Sequence, residues 1–159
     1  MQKNEKGFTL IELGIVVAVI AVLAAVVMAG SGFVSTGKLG KAVEGVNTLK
    51  KASMAFAGRM GGEFPSEPAD LSVLETRGLI TKLNNGVWEM APGYNVTDLA
   101  LSHVNGANQI VMTVTFPDLV SGQDLHTNLA GGPGYTAEGD CSPPTGGDTY
   151  TNICFTGLI

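Results

Sequence analysis

Glu12 is the residue whose setting asks most of chemistry. It is a carboxylate with Phe8, Leu10 and Ile11 before it and Leu13, Ile15 and Val16 after it. A glutamate in hydrocarbon is disfavoured by about 2.5–3.5 kcal/mol at mid-bilayer, and by less near an end. It therefore requires a partner. Other reactive side chains are few. Cys141 and Cys154 are the two cysteines, enough for one bridge and too few for a four-cysteine zinc site. A bridge would close a loop of about 14 residues and contribute about 3 kcal/mol by chain entropy. Two buried thiols are the alternative, which the Gly, Pro and Asp around them disfavour. His103 and His126 are the two histidines. Neither has a nearby cysteine or spaced carboxylate that would make a metal or nucleophile site, so both are expected on the surface or in loops. Asp118 and Asp124, like Asp140 and Asp148, lack the spacing of a calcium loop. Gly131-Gly132-Pro133-Gly134 leads into more loop and not into a phosphate-cradling helix. No metal, no cofactor and no enzymatic activity are expected.

The element that positions Glu12 is an apolar run. From Leu13 to Gly30 the chain reads LGIVVAVIAVLAAVVMAG, without charge or proline. As a helix at about 1.5 Å per residue it spans about 27 Å, close to one bilayer core. This segment supplies much of the positive mean hydropathy of +0.26. The whole chain has 159 residues and 14% charged residues, which fits one domain plus an appendage. With 45% apolar residues the chain as a whole is not disordered. Its net charge of -5 offers no strongly basic surface for nucleic acid. The 22 glycines follow no three-residue period, which excludes collagen.

Just before the apolar run stands Lys6-Gly7-Phe8-Thr9-Leu10-Ile11-Glu12. This KGFTLIE segment resembles the processing motif of type IV prepilins. The resemblance covers about the first 30 residues: a short basic leader, glycine before phenylalanine, and a glutamate at the right offset in a long apolar helix. It implies cleavage after Gly7 by a prepilin peptidase, N-methylation of Phe8, and Glu12 as the assembly acid. The chemistry suits the spacing. Cleavage would leave a cationic amine on Phe8, one helical turn from Glu12, and the two could neutralise each other within or between subunits. Such a pair sets register more than it adds stability, because desolvation consumes much of the Coulomb gain. Gly7, lacking a Cβ, lets the scissile backbone lie extended and close in a protease site. The resemblance further implies an intersubunit pairing, a cytoplasmic leader and an outward head. Lysine counts on the two sides of the span, Lys3 and Lys6 against Lys38, Lys41 and Lys50, leave orientation undecided. Many members of that family carry a proline where this chain has Ala29. The glycines at 30, 32 and 37 are expected to make 29–37 a weak helical stretch, each costing about 1 kcal/mol relative to alanine.

The expected fold is α+β. A long N-terminal helical spine over about 8–60 packs on a small antiparallel β-sheet head with a C-terminal cysteine-bounded loop. Residues 1–7 are the leader, 8–30 the transmembrane or filament-core part, 38–60 an amphipathic part and 61–159 the head. Leu39, Val43, Val46, Leu49, Ser53, Phe56 and Met60 recur at steps of three or four, with Lys41, Glu44, Lys50, Lys51 and Arg59 on the remaining faces. Gly61-Gly62 ends this helix, and Pro65 to Pro68 makes a loop. Asp70 caps a short helix near 71–76. Strands are expected around 87–90, 94–97, 99–103 and 109–116, with a turn at Asn105-Gly106. A helix over 118–129 and a last strand at Cys154-Phe155-Thr156 complete the head. Trp88 is expected in the core. The cysteine-bounded loop resembles the surface loop that a disulfide closes in pilins.

Three functions compete. The first is a structural subunit of a type IV pilus, polymerised through its apolar helix. Its partners would be further copies of itself, the prepilin peptidase, the inner-membrane assembly machinery and, before assembly, the membrane. Its location would be the inner membrane and then an extracellular filament. The second is a type II secretion pseudopilin or a minor pilin. The third is a secreted or anchored binding protein with an ordinary signal sequence, against which Gly7-Phe8 and Glu12 speak. Loss of Lys3, Glu5 and Lys6 would leave the mature chain acidic, so direct nucleic-acid binding along a shaft is not expected.

Overall fold

The computed structural model describes residues 10–66 and 69–158. Helix α1 runs over Leu10–Arg59. Its residues as far as Gly37 belong to one unit, and Lys38–Ile159 form a second. The glycine-bearing stretch 29–37, expected to be weak, is helical. The cost of its glycines is spread over a helix of 50 residues whose nucleation is already met on either side.

In the second unit α1 buries Ala42, Val46, Leu49, Ala52, Ser53, Phe56 and Ala57. The expected stripe is thus right in its middle and wider than its large residues suggest, because alanines fill the flank. Met60 lies beyond the helix and is exposed. Gly45 also faces inward: a Cβ there would stand 2.7 Å from Cβ of Met90. Gly61 and Gly62 have φ of 96° and 101°, and the Gly62 N–H donates to Ala57 O at 2.8 Å, a six-to-one closure that ends α1.

The sheet holds β1 (Trp88–Ala91), β2 (Tyr94–Val104), β3 (Ala107–Thr115), β4 (Tyr135–Thr136) and β5 (Tyr150–Leu158). Their order is β1-β2-β3-β5-β4, with every pairing antiparallel. Asn105 and Gly106 both take positive φ, 53° and 78°, as a two-residue hairpin turn with right-handed strand twist demands. The two segments expected at 94–97 and 99–103 are one strand. A bulge between Val96 and Asp98 shifts the register, so Tyr94 and Val96, then Leu99 and Leu101, all point into the core. The spacing breaks the period of two, which is why sequence alone reads two strands. In β3 the alternation is clean, with Ile110, Met112 and Val114 fully buried.

Two shorter helices complete the head. Helix α2 (Leu71–Thr76) is capped by Asp70, whose Oδ1 accepts from the N–H of Ser72 and of Val73. Helix α3 (Leu119–Leu129) is capped by Asp118, which accepts from the Ser121 N–H at 2.8 Å. Both carboxyls are held below the usual carboxylate range, Asp70 chiefly by the Ser72 hydroxyl and Asp118 by the Ser121 N–H. Gly122 lets α3 sit on the Phe116 ring, since a Cβ there would lie 2.8 Å from it.

Candidate functional site

The apolar segment is the first candidate. Leu10–Met28 has a mean hydropathy of 3.0 and none of it is buried within the chain. This is one helix long and apolar enough to cross a membrane, starting slightly earlier than the run expected from Leu13. Leu10 is 89% exposed and Leu13 58%, and large aliphatic residues follow to Met28. A surface this continuous needs a cover of lipid or protein, because soluble chains rarely leave such patches in water. Glu12 stands in the first described turn of α1, within that apolar surface. Gly7, Phe8 and the leader lie outside the described residues, and the pairing of Glu12 with the Phe8 amine lies outside them too.

The second candidate is the lobe formed by α3, β4 and the cysteine-bounded loop. Cys141 and Cys154 form a disulfide, with Cα atoms 5.8 Å apart. The bridge joins a short 3-10 turn, Gly139–Cys141, to β5. Cys154 is fully buried and pairs in register with Val111 and Thr136.

His126 is not a surface residue as expected. It lies in α3 at 2% exposure. Its Nδ1 meets the Tyr135 hydroxyl, and its Nε2 lies 2.6 Å from Oγ1 of Thr151. The Thr151 hydroxyl in turn reaches Ser142 O at 3.4 Å. One histidine thus links α3, β4, β5 and the disulfide loop. Burial pushes its pKa down to about 4 and pushes the Tyr135 phenol up. The amphipathic position of His126 accounts for the burial. Gly122, Leu125, His126 and Leu129 form the inner face of α3, and two hydroxyls satisfy the ring nitrogens there.

Lys50 also lies deeper than its sequence position suggests. The helical period places it on a face outside the apolar stripe of α1, yet it is only 7% exposed. Its Nζ donates to Pro133 O and sits 4.3 Å from the centroid of the Phe155 ring. Desolvation lowers its pKa. Trp88 is half-buried at the sheet edge, with its indole N–H donating to Thr81 Oγ1 at 3.0 Å.

His103 is half-buried, with Nδ1 2.9 Å from Asn108 Oδ1. The same oxygen accepts from the Phe64 N–H, and Asn108 Nδ2 donates to Gly62 O at 2.8 Å. Asn108 therefore fastens the end of α1 to the β2–β3 hairpin. Nothing in the sequence marks it, because its partners lie 44 and 46 residues away. Asp148 closes its own turn, accepting from the N–H and hydroxyl of Thr145. Among the described residues no group of three His, Cys, Asp or Glu side chains is placed to hold a metal ion.

The family model for the prokaryotic N-terminal methylation motif matches residues 2–28. No curated protein and no solved structure matches the chain.

Proposed function

We propose that this chain, whose architecture is type IV pilin-like, is the structural subunit of a surface filament. A prepilin peptidase cuts after Gly7, Phe8 becomes the methylated N-terminal residue, and subunits polymerise through the apolar part of α1. The observation that carries this reading is the overlap of the methylation motif, residues 2–28, with the wholly exposed apolar helix Leu10–Met28. The motif supplies the processing signal, and the helix supplies a surface that needs covering.

The rest follows from chemistry. Before assembly the helix rests in the inner membrane, where hydrocarbon covers it. In the filament the same surface packs against other copies, and each incoming Phe8 amine neutralises a Glu12 already in place. An unanswered Glu12 in that apolar bundle costs several kcal/mol, which makes the pair a register device. The 29–37 stretch, with glycine in place of better helix formers, is the part of α1 that unwinds in the fibre. Unbroken helical density there in cryo-EM of the fibre would remove that detail. The chain acts as building material and not as an enzyme.

Mass spectrometry of the mature N-terminus tests the reading. A methylated Phe8 is the expected terminus, and replacing Gly7 with a large residue should abolish its appearance. Retention of Met1, or a start near Gly30 as signal peptidase would leave, overturns it.

A further inference from the structure

Charge is divided sharply along this chain. Lys82 is the last basic residue, so 83–159 contains no lysine or arginine. Of the seven exposed carboxylates of that half, Glu89 and Asp98 stand on β1 and β2, and the other five gather on one lobe. Asp118 and Asp124 stand on and beside α3, and Glu138, Asp140 and Asp148 on the loop around the disulfide. A hydrogen bond from Gln123 Nε2 to Pro144 O at 3.2 Å fastens α3 to that loop, so these acids share one body.

The opposite sign sits on α1. Lys41, Lys51 and Arg59 are exposed on an arc of the helix outside the buried Val46, Leu49 and Phe56, an arc that also carries the exposed Glu44 and is basic by three charges to one. Arg59 Nη1 donates to Arg77 O at 3.3 Å, which brings a further exposed guanidinium to the same end of the arc. Lys50, the one lysine of this stretch placed beside the acidic lobe, is turned inward onto Phe155 and Pro133. Cations thus outnumber the single exposed Glu44 on this part of α1, while the disulfide lobe presents carboxylates without a lysine or arginine.

We infer that the basic arc of α1 in one copy docks on the acidic disulfide lobe of a second copy. The two patches differ, so the contact is head-to-tail and does not close as a twofold dimer; it propagates. This rests on the polymerising reading above and adds to it a contact between soluble units. Complementary patches of this kind fix partner and register, and they exclude chains that lack the acidic lobe.

The test uses the full chain, expressed with its peptidase and assembly machinery. One variant carries Lys41→Glu, Lys51→Glu and Arg59→Glu. Another carries Asp124→Lys, Asp140→Lys and Asp148→Lys. Each alone should lower the yield of sheared filaments by about tenfold or more, since several like-charge contacts face each other at every interface. Expressed together in one cell, the two should enter the same filaments, because each supplies the sign the other lacks. Yields equal to wild type for both single variants overturn the inference. So does failure of the co-expressed pair while both proteins show wild-type thermal unfolding in detergent. Glu12→Ala is run beside them. Wild-type fibres that vanish with Glu12→Ala but ignore the charge reversals sink the lobe contact alone. Absence of fibres from the wild-type chain sinks the polymerising reading, and this inference with it.

Discussion

The ammonium of Lys50, on α1, lies 4.3 Å from the centroid of the Phe155 ring, on β5. Together with Pro133 O it makes a cation site built from a ring face and a carbonyl, without a carboxylate among the contacts that hold it. The long methylene stem fills space between helix and sheet as well as carrying the charge. Lys50→Met keeps that stem and removes the buried charge, so stability should change by less than about 1 kcal/mol. Lys50→Ala leaves a cavity and should cost about 2–4 kcal/mol. Urea unfolding of the full chain in detergent separates the two cases.

On the proposed assembly, Glu12→Ala leaves processing intact but removes the group that answers the Phe8 amine. Mature protein should accumulate in the membrane fraction while sheared filaments fall steeply. A blot of both fractions measures this. Normal filament yield would show that register is set elsewhere.

His126 should make the head sensitive to mild acid. Its pKa in the folded chain is about 4, against an ordinary 6.5. As pH falls through that window the unfolded chain takes up a proton that the folded chain refuses. The contribution is therefore complete above pH 6.5, shrinks between 6.5 and 4, and is gone below about 4. Asp70 and Asp118, whose carboxyls are held low, lose their contribution only at lower pH. Thermal unfolding at pH 7 and pH 4.5 should differ more for the wild type than for His126→Gln.

Opening the Cys141–Cys154 bridge should destabilise the head by about 3 kcal/mol, the chain entropy of a loop of this length. Urea midpoints with and without reductant give the number. On the proposed assembly, membrane insertion through Leu10–Met28 should not change.

Gly122→Ala sets two effects against each other. Helix propensity favours alanine by about 1 kcal/mol. A Cβ at 2.8 Å from the Phe116 ring forces a buried aromatic to move, which costs about 1–3 kcal/mol. Packing should win, and the melting temperature should drop.

Local signals were the readable ones. The Asn105-Gly106 turn, the alternation from Ile110 to Val114, the caps at Asp70 and Asp118 and the glycine stop at 61–62 each depend on neighbours a few residues away. The helix-on-sheet head followed from them. The burial of Lys50 and His126 is not legible locally because what buries them is distant in sequence. Lys50 meets Pro133 and Phe155, and His126 meets Tyr135 and Thr151. The final strand was legible only at 154–156, since the pairing that extends it from Tyr150 to Leu158 is with β3, about forty residues earlier. The bulge between Val96 and Asp98 hid the unity of β2 for a different reason, a change of side-chain parity inside one strand. At the other candidate, Glu12 was legible because an acid in an apolar run is conspicuous without any fold.

Thr115 at the end of β3 pairs directly with Tyr150 at the start of β5. Between them the chain leaves the sheet for α3, touches its edge again as β4, and returns through the disulfide loop to the neighbouring rung. Lengthening such an excursion costs only slowly growing closure entropy. The scaffold can therefore carry altered epitopes or grafted peptides at the Gly146-Gly147 tip while its strand register stays as it is. Variation in length or composition there need not reach the framework beneath.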